Sequence, residues 1–225
     1  MIEQTTLEHH IQKHIFSVLM LQKYARFRDM RPEGTDTNLY SYHLKLMQKR
    51  GFIRKKIDGY TLAKKGFLYM DRITTKTLDV RLQPKIISML VVQNSNGDLL
   101  LYKRFRQPHA NQWTLPYGKV HVDDKTLHMA ASREMKEKLQ SVEHKPRHVG
   151  DCYIRILDEG EIILSTLAHI FRFECDSIVE NERLKWVRPH KLAQYTLAPA
   201  VEQIVTRCFF NDPFFFEEYE EELIQ

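Results

Sequence analysis

The sequence predicts two α+β domains in series. The first is a small unit of helices closed by a β-hairpin; the second is a larger sandwich in which strands surround one well-marked helix. Three observations carry this. Residues 1–73 hold 14 Lys/Arg against 7 Asp/Glu, whereas residues 74–225 hold 20 against 22, so the overall +5 divides into a basic module and a mildly acidic one. Residues 74–83, TTKTLDVRLQ, read as a linker, and Pro84 opens the next unit. Beyond it, apolar runs of strand length flank the helix-like stretch GKVHVDDKTLHMAASREMKEKLQS, residues 118–141.

A chain of 225 residues that is 43% hydrophobic can bury a real core. No run approaches the roughly 18 apolar residues of a membrane span, and the start MIEQTTLEHHIQKH lacks the charged-then-apolar layout of a secretory signal. Cys152, Cys175 and Cys208 are odd in number and form no C-x-x-C pair. The expectation is reduced thiols in a cytoplasm, not a disulfide framework or a zinc site.

Within residues 8–22, Ile11, Ile15, Val18, Leu19 and Leu21 recur at near-helical spacing and predict a first helix. YARFRDM predicts a short second one, ended by RPEG. A third follows, with Thr37 as its N-cap, Tyr40, Leu44 and Met47 on one face, and Gly51 at its end. FIRKKIDGYTL is a hairpin whose two-residue turn is Asp58-Gly59, and AKKGFLYMDRI is a further short helix. Three helices and then a hairpin is the order of a winged helix-turn-helix. LYSYHLKLMQKRGFIRKKIDGYTLAKKG resembles the recognition helix and wing of small bacterial regulators of the ArsR and MarR kind. That resemblance implies double-stranded DNA as a partner. Thr37, Asn38, Ser41, Tyr42 and Lys45 lie opposite the core positions and would enter a major groove, while Arg54, Lys55 and Lys56 would meet phosphates. The alternatives are a solvated basic face, or a module for docking or for forming a homodimer.

In the second unit, KIISMLVVQNSNGDLLLYKR is two apolar runs around Asn96-Gly97, a second hairpin signal. DCYIRIL, IILSTLAHIFRF and LKWV predict further strands, and PAVEQIVTRCF a final helix. The stretch LLLYKRFRQPHANQWTLPYGKVHVDDKTLHMAASREMKEKLQS resembles the Nudix family, whose signature is G-x5-E-x7-R-E-U-x-E-E-x-G-U with U apolar. The resemblance spans residues 84–210, with WTLP before the box and Lys185-Trp186-Val187 as a late strand. It implies an α/β/α sandwich with a mixed sheet, and a loop–helix–loop that holds Mg²⁺ or Mn²⁺ against a diphosphate.

Gly118 matches the opening glycine, Arg133-Glu134 the R-E pair, Met135 the apolar position and Glu137 the next acid, so Arg133, Glu134 and Glu137 are the candidate catalytic residues and Glu134 and Glu137 the metal ligands. The match then fails. Lys138 stands where the last glutamate belongs, Gln140 replaces the glycine and Ser141 the last apolar residue. One extra residue before Arg133 leaves Asp124 or Lys125 in place of the early glutamate, and Tyr117 replaces a preceding glycine. Carboxylates three and four apart on a helix share one face, where Mg²⁺ needs hard oxygens. A lysine there competes with the ion and, four residues after Glu134, forms the favourable helix pair.

Arg104, Arg106, Trp113, Gly118, Lys119 and Lys138 are candidate ligand-binding residues for a nucleotide-type small molecule. His121 and His128 are weaker metal candidates, and Glu180 or Glu182 could supply a base from a loop. The tail, residues 211–225, holds three phenylalanines, six acids and no base. It would pack on its own domain or a second subunit, or fold against the basic wing and compete with DNA. Two functions follow. One is a DNA-binding transcriptional regulator whose second domain senses a diphosphate ligand with weak or no hydrolysis. The other is a metal-dependent hydrolase of nucleoside diphosphates linked to another moiety, with an accessory first domain.

Overall fold

The computed structural model describes residues 7–74, 77–140, 145–210 and 214–223. Ser141 and tail residues 211–213 and 224–225 lie outside the described residues. The backbone divides into two units, Met1–Gln83 and Pro84–Gln225.

In the first unit, α1 (His10–Leu21) buries Ile11, Ile15, Phe16 and Leu19 as one stripe. Leu21, expected there, is 88% exposed, because at 3.6 residues per turn it falls on the opposite side. The second expected helix is only a 3₁₀ turn, Phe27–Met30, since a helix this short does not repay its nucleation. α2 (Thr37–Lys49) is capped by Asp36, whose carboxylate accepts the N–H of Asn38 (2.9 Å) and Leu39 (3.0 Å). Thr37, the expected cap, is instead the first helical residue, and its hydroxyl accepts from Arg31 Nη1 at 2.8 Å; aspartate outranks threonine at this position. Tyr40, Leu44 and Met47 are buried as expected, and His43 joins them. β1 (Ile53–Lys56) and β2 (Gly59–Leu62) pair with Lys56 opposite Gly59, so the turn is Ile57-Asp58, one residue earlier than Asp58-Gly59. Gly59 serves a different need: at φ +133 it abuts Ala25, whose carbonyl oxygen would lie 2.6 Å from an added Cβ. Ala25 and Tyr60 form an isolated antiparallel bridge. α3 (Lys64–Met70) follows, and Leu78 is buried in this unit's core, its carbonyl accepting from the Tyr69 hydroxyl at 3.2 Å.

The second unit holds β3 (Lys85–Gln93), β4 (Leu99–Lys103), β5 (Trp113–Thr114), β6 (Tyr117–Lys119), α4 (Leu127–Glu134), β7 (Arg147–Asp158), β8 (Glu161–Glu174), β9 (Leu184–Val187), α5 (Val201–Phe209) and β10 (Phe215–Glu222). The strands make a mixed sheet in the order β10-β7-β8-β3-β4-β5, with β6 on β3 and β9 on β4. The β3–β8 and β10–β7 pairs are parallel and the others antiparallel. β3 is apolar on both faces because both are covered. Met89 and Val91 face a core completed by Val201, Ile204 and Val205 of α5. Leu90 and Val92 face one completed by Ala131 of α4 and by Met135 and Leu139 just after it. Cys152, Cys175 and Cys208 are buried and in no disulfide, and burial pushes the Cys152 thiol up to about 12 and Cys208 to about 11.

The tail becomes β10, seated on β7 with Phe215 against Gly150. Glycine is needed there, because a Cβ would lie 2.5 Å from the Phe215 ring. Two of its acids pair within their own unit: Glu220 with Arg155, and Glu217 with Arg207 at 3.0 Å. Among the described residues no helix is long and apolar enough to cross a membrane.

Candidate functional site

α4 starts where the Thr126 hydroxyl accepts the N–H of Met129 at 3.1 Å. It lies over β6, and Glu134 settles directly on Gly118: a Cβ there would sit 1.8–2.0 Å from the Glu134 carboxylate, so any side chain would displace it. Arg133 organises the rest. It meets Asp124 through Nε (3.1 Å) and Nη2 (2.7 Å), Glu134 Oε1 at 2.6 Å, and the Lys119 carbonyl at 2.9 Å. Asp124, not Lys125, therefore takes the place of the early glutamate. Hydrogen bonds from Arg133 and from the His121 N–H hold its carboxyl down at about 2.

Lys138 Nζ lies 3.0 Å from Glu134 Oε2 and 5.7 and 5.2 Å from the ring centres of Tyr102 and Tyr117. Both oxygens of the buried Glu134 are thus held by cations. Glu137, 3.6 Å from Arg133 Nη1 and 56% exposed, stays open to the cavity. A π turn over Met135–Leu139 ends the helix, and Gln140 adopts φ +54. That left-handed conformation explains the signature's glycine, because a Cβ there costs about 1–2 kcal/mol. Gln140→Gly is expected to raise stability by about 1 kcal/mol, read as a higher denaturant midpoint at unchanged slope.

The divalent metal implied by the resemblance does not fit these donors. Glu134 is occupied by Arg133 and Lys138, an ammonium takes the last carboxylate's place, and Glu137 is left as the open acid of the helix.

A cavity of about 460 Å³ opens in front of the helix, with Arg104, Arg106, Lys119, Lys138 and Arg183 as cations and Glu137 as the open acid in its wall. Arg104 is fixed by the carbonyls of Pro108 (3.0 Å) and Arg106 (3.3 Å). A second cavity of about 210 Å³, lined by Ile87, Met89, Ile154 and Ile156, shares Arg104, Tyr117 and Lys119 with the first. Trp113 is not among the residues lining either; it packs edge-on to Tyr195 at 6.0 Å. His121 lines the larger cavity. His128 instead packs on Phe171, and Glu180 accepts the Trp186 N–H at 2.7 Å; neither these two nor Glu182 lines it. Sequence reasoning missed Tyr102, Tyr117 and Arg183. The alternation in Tyr102-Lys103-Arg104-Phe105-Arg106 was the available signal for the first. Arg183, over the Phe105 ring at 4.9 Å, had none. In the first unit Thr37, Asn38, Tyr42, Lys45, Arg54, Lys55 and Lys56 are exposed and Ser41 is half-buried.

The chain matches the NUDIX domain over residues 83–208. No curated protein sequence matches it. Among solved structures, the MutT mutator protein of Bacillus halodurans superposes with a TM-score of 0.50 at 18% identity, covering 60% of this chain and 89% of that one. The NUDIX domain of Shewanella oneidensis NrtR, crystallised with ADP ribose, gives 0.48 at 16%, covering 63% and 95%. A MutT NUDIX hydrolase from Burkholderia pseudomallei gives 0.47 at 26%, covering 57% and 100%. The likeness to the Bacillus protein is one of fold. The family match takes in more than half of the chain, with the sheet and the Arg133–Glu134 helix inside it, and the chain belongs to the Nudix family.

Proposed function

We propose that this protein is a DNA-binding regulator whose Nudix domain holds a nucleoside-diphosphate compound without cleaving it. The observation that carries the reading is the Lys138 ammonium 3.0 Å from Glu134. It supplies, at the cavity wall, the positive charge that a metal would otherwise bring. With Arg104, Arg106, Lys119 and Arg183 beside it, the larger cavity suits a diphosphate. The smaller, apolar cavity suits a nucleoside, and Arg104, Tyr117 and Lys119 join the two. His109 also lines this smaller cavity.

The first unit reads DNA as a winged helix. Its element order supports this, as does the Ala25–Tyr60 bridge, which adds a third strand segment to the hairpin. Thr37, Asn38, Ser41, Tyr42 and Lys45 face the groove, and Arg54, Lys55 and Lys56 face phosphates. Such a protein acts as a homodimer on a two-fold site. Regulation requires the ligand to bind two states of the protein unequally.

The test uses the full chain in EDTA with a panel of nucleoside diphosphate derivatives. A panel member should raise the melting temperature, and none should be hydrolysed when Mg²⁺ or Mn²⁺ is added. Replacing Arg54, Lys55 and Lys56 by alanine should cut the salt dependence of DNA affinity by about three in the log–log slope. A second reading rests on the open Glu137. Turnover with Mg²⁺ that disappears in Glu137→Gln would make the protein a hydrolase and overturn the sensor.

A further inference from the structure

Away from the Nudix helix, two imidazoles converge on one carboxylate oxygen. His148 Nε2 lies 2.8 Å and His169 Nδ1 2.6 Å from Asp151 Oδ1. Among the described residues this is the grouping of three His, Cys, Asp or Glu side chains whose donor atoms all fall within 4.8 Å of one another. We propose that His148, Asp151 and His169 form a zinc-class metal site, distinct from the box and independent of the reading given above.

The backbone is shaped to produce it. Asp151 and His169 are direct cross-strand partners on β7 and β8, so their side chains share a face. His148, three residues before Asp151, would point to the opposite face of a regular strand. A bulge between His148 and Gly150 inserts Val149 as an extra residue. Val149 turns into the core shared with α5, and His148 is re-aimed to the face of Asp151. There its ring stacks on Phe171 (4.8 Å, 19°) and meets Phe214 edge-on at 5.1 Å, which fixes its orientation before any ligand arrives. Gly150, needed for the close approach of Phe215, anchors the bulge.

The donors select the metal class. Two nitrogens and one carboxylate oxygen suit Zn²⁺, Co²⁺ and their neighbours rather than Mg²⁺, which prefers oxygen throughout. In the metal-free form each imidazole donates a proton to Asp151. For a divalent ion to bind, each ring must present a lone pair at that nitrogen. A neutral imidazole moves its proton to the other ring nitrogen and an imidazolium releases one to solvent, after which the two nitrogens and the carboxylate are the ligands. The three side chains are 13–23% exposed, leaving a fourth position for water or a small ligand. Tetrahedral coordination at about 2.1 Å sets donors roughly 3.4 Å apart, so the contacts of 2.8 and 2.6 Å open by about 0.6 and 0.8 Å on binding.

The test is titration of the chelator-stripped full chain with Co²⁺, read by its visible ligand-field bands, and with Zn²⁺ by competition. Asp151→Asn keeps an oxygen acceptor for both histidines, so folding should survive; unchanged circular dichroism would verify that. Losing an outer partner of a ligand already costs about 10–100-fold in affinity, so losing the carboxylate itself should weaken Co²⁺ by at least about a hundredfold. Excess Mg²⁺ should leave the bands in place, and Glu137→Gln should not alter them. The proposal falls if the wild-type chain shows no bands, if Asp151→Asn or His148→Ala binds as tightly as wild type, or if Mg²⁺ displaces Co²⁺.

Discussion

Lys138→Glu should tighten Mg²⁺ binding by at least about thirtyfold. A unit charge about 4 Å away is worth roughly 4 kcal/mol at an effective dielectric of about 20, and this substitution both removes a cation and adds an anion. Lys138 is 26% and Glu137 56% exposed, so solvent screening leaves about 2 kcal/mol, the thirtyfold stated. The same change brings a second carboxylate against the buried Glu134. Without metal the unfolding midpoint should therefore fall, and Mg²⁺ should restore it. Calorimetric titration reads the affinity, and melting in EDTA against Mg²⁺ reads the repulsion. Unchanged Mg²⁺ affinity would mean that the ammonium is not what keeps the ion out.

Arg133→Met is expected to cost about 3 kcal/mol, because removing one partner of a buried ion pair leaves the others desolvated and uncompensated. Arg133 contacts Asp124 and Glu134, whose side chains are 8% and 5% exposed. In a domain of this size the loss is roughly 6–12 °C in melting temperature. It also has a pH signature. The Asp124 carboxyl stands at about 2 in the folded protein, chiefly through Arg133, against about 4 when unfolded. A folded value below the unfolded one contributes stability above about pH 4, which disappears as pH falls toward 2. Arg133→Met should flatten that acid limb, while the wild type keeps its slope. Equal slopes in the two proteins would place the acid sensitivity in another carboxylate.

The expected pair between Glu134 and Lys138 exists at 3.0 Å, and it was legible because an (i, i+4) relation depends only on local helix geometry. The core face of α2 was legible for the same reason. The near misses had two causes, one local and one distant in the chain. Asp36 displaced Thr37 as cap through the stronger acceptor. Gly59 was not in the turn because its missing Cβ was required by Ala25, distant in sequence. The choice between Asp124 and Lys125 could not be made from spacing, since a one-residue gap can fall anywhere in a loop; the Arg133 fork decided it.

By itself, the sequence determined the division into a basic and a Nudix unit, the helix that carries Arg133, Glu134 and Glu137, and the conflict that Lys138 brings to it. The basic charge of residues 1–73 is set by composition, whereas the Nudix unit, its helix and the place of Lys138 follow from the resemblance of residues 118–141 to the family signature. Only the tertiary structure decided that Trp113 leaves the cavity and Arg183 joins it, that the acidic tail becomes a parallel edge strand, and that a bulge at Val149 carries His148 to Asp151 and His169. Those outcomes depend on strand register between segments far apart in the chain. A shift of one residue reverses every side chain, and nothing local in the sequence records it.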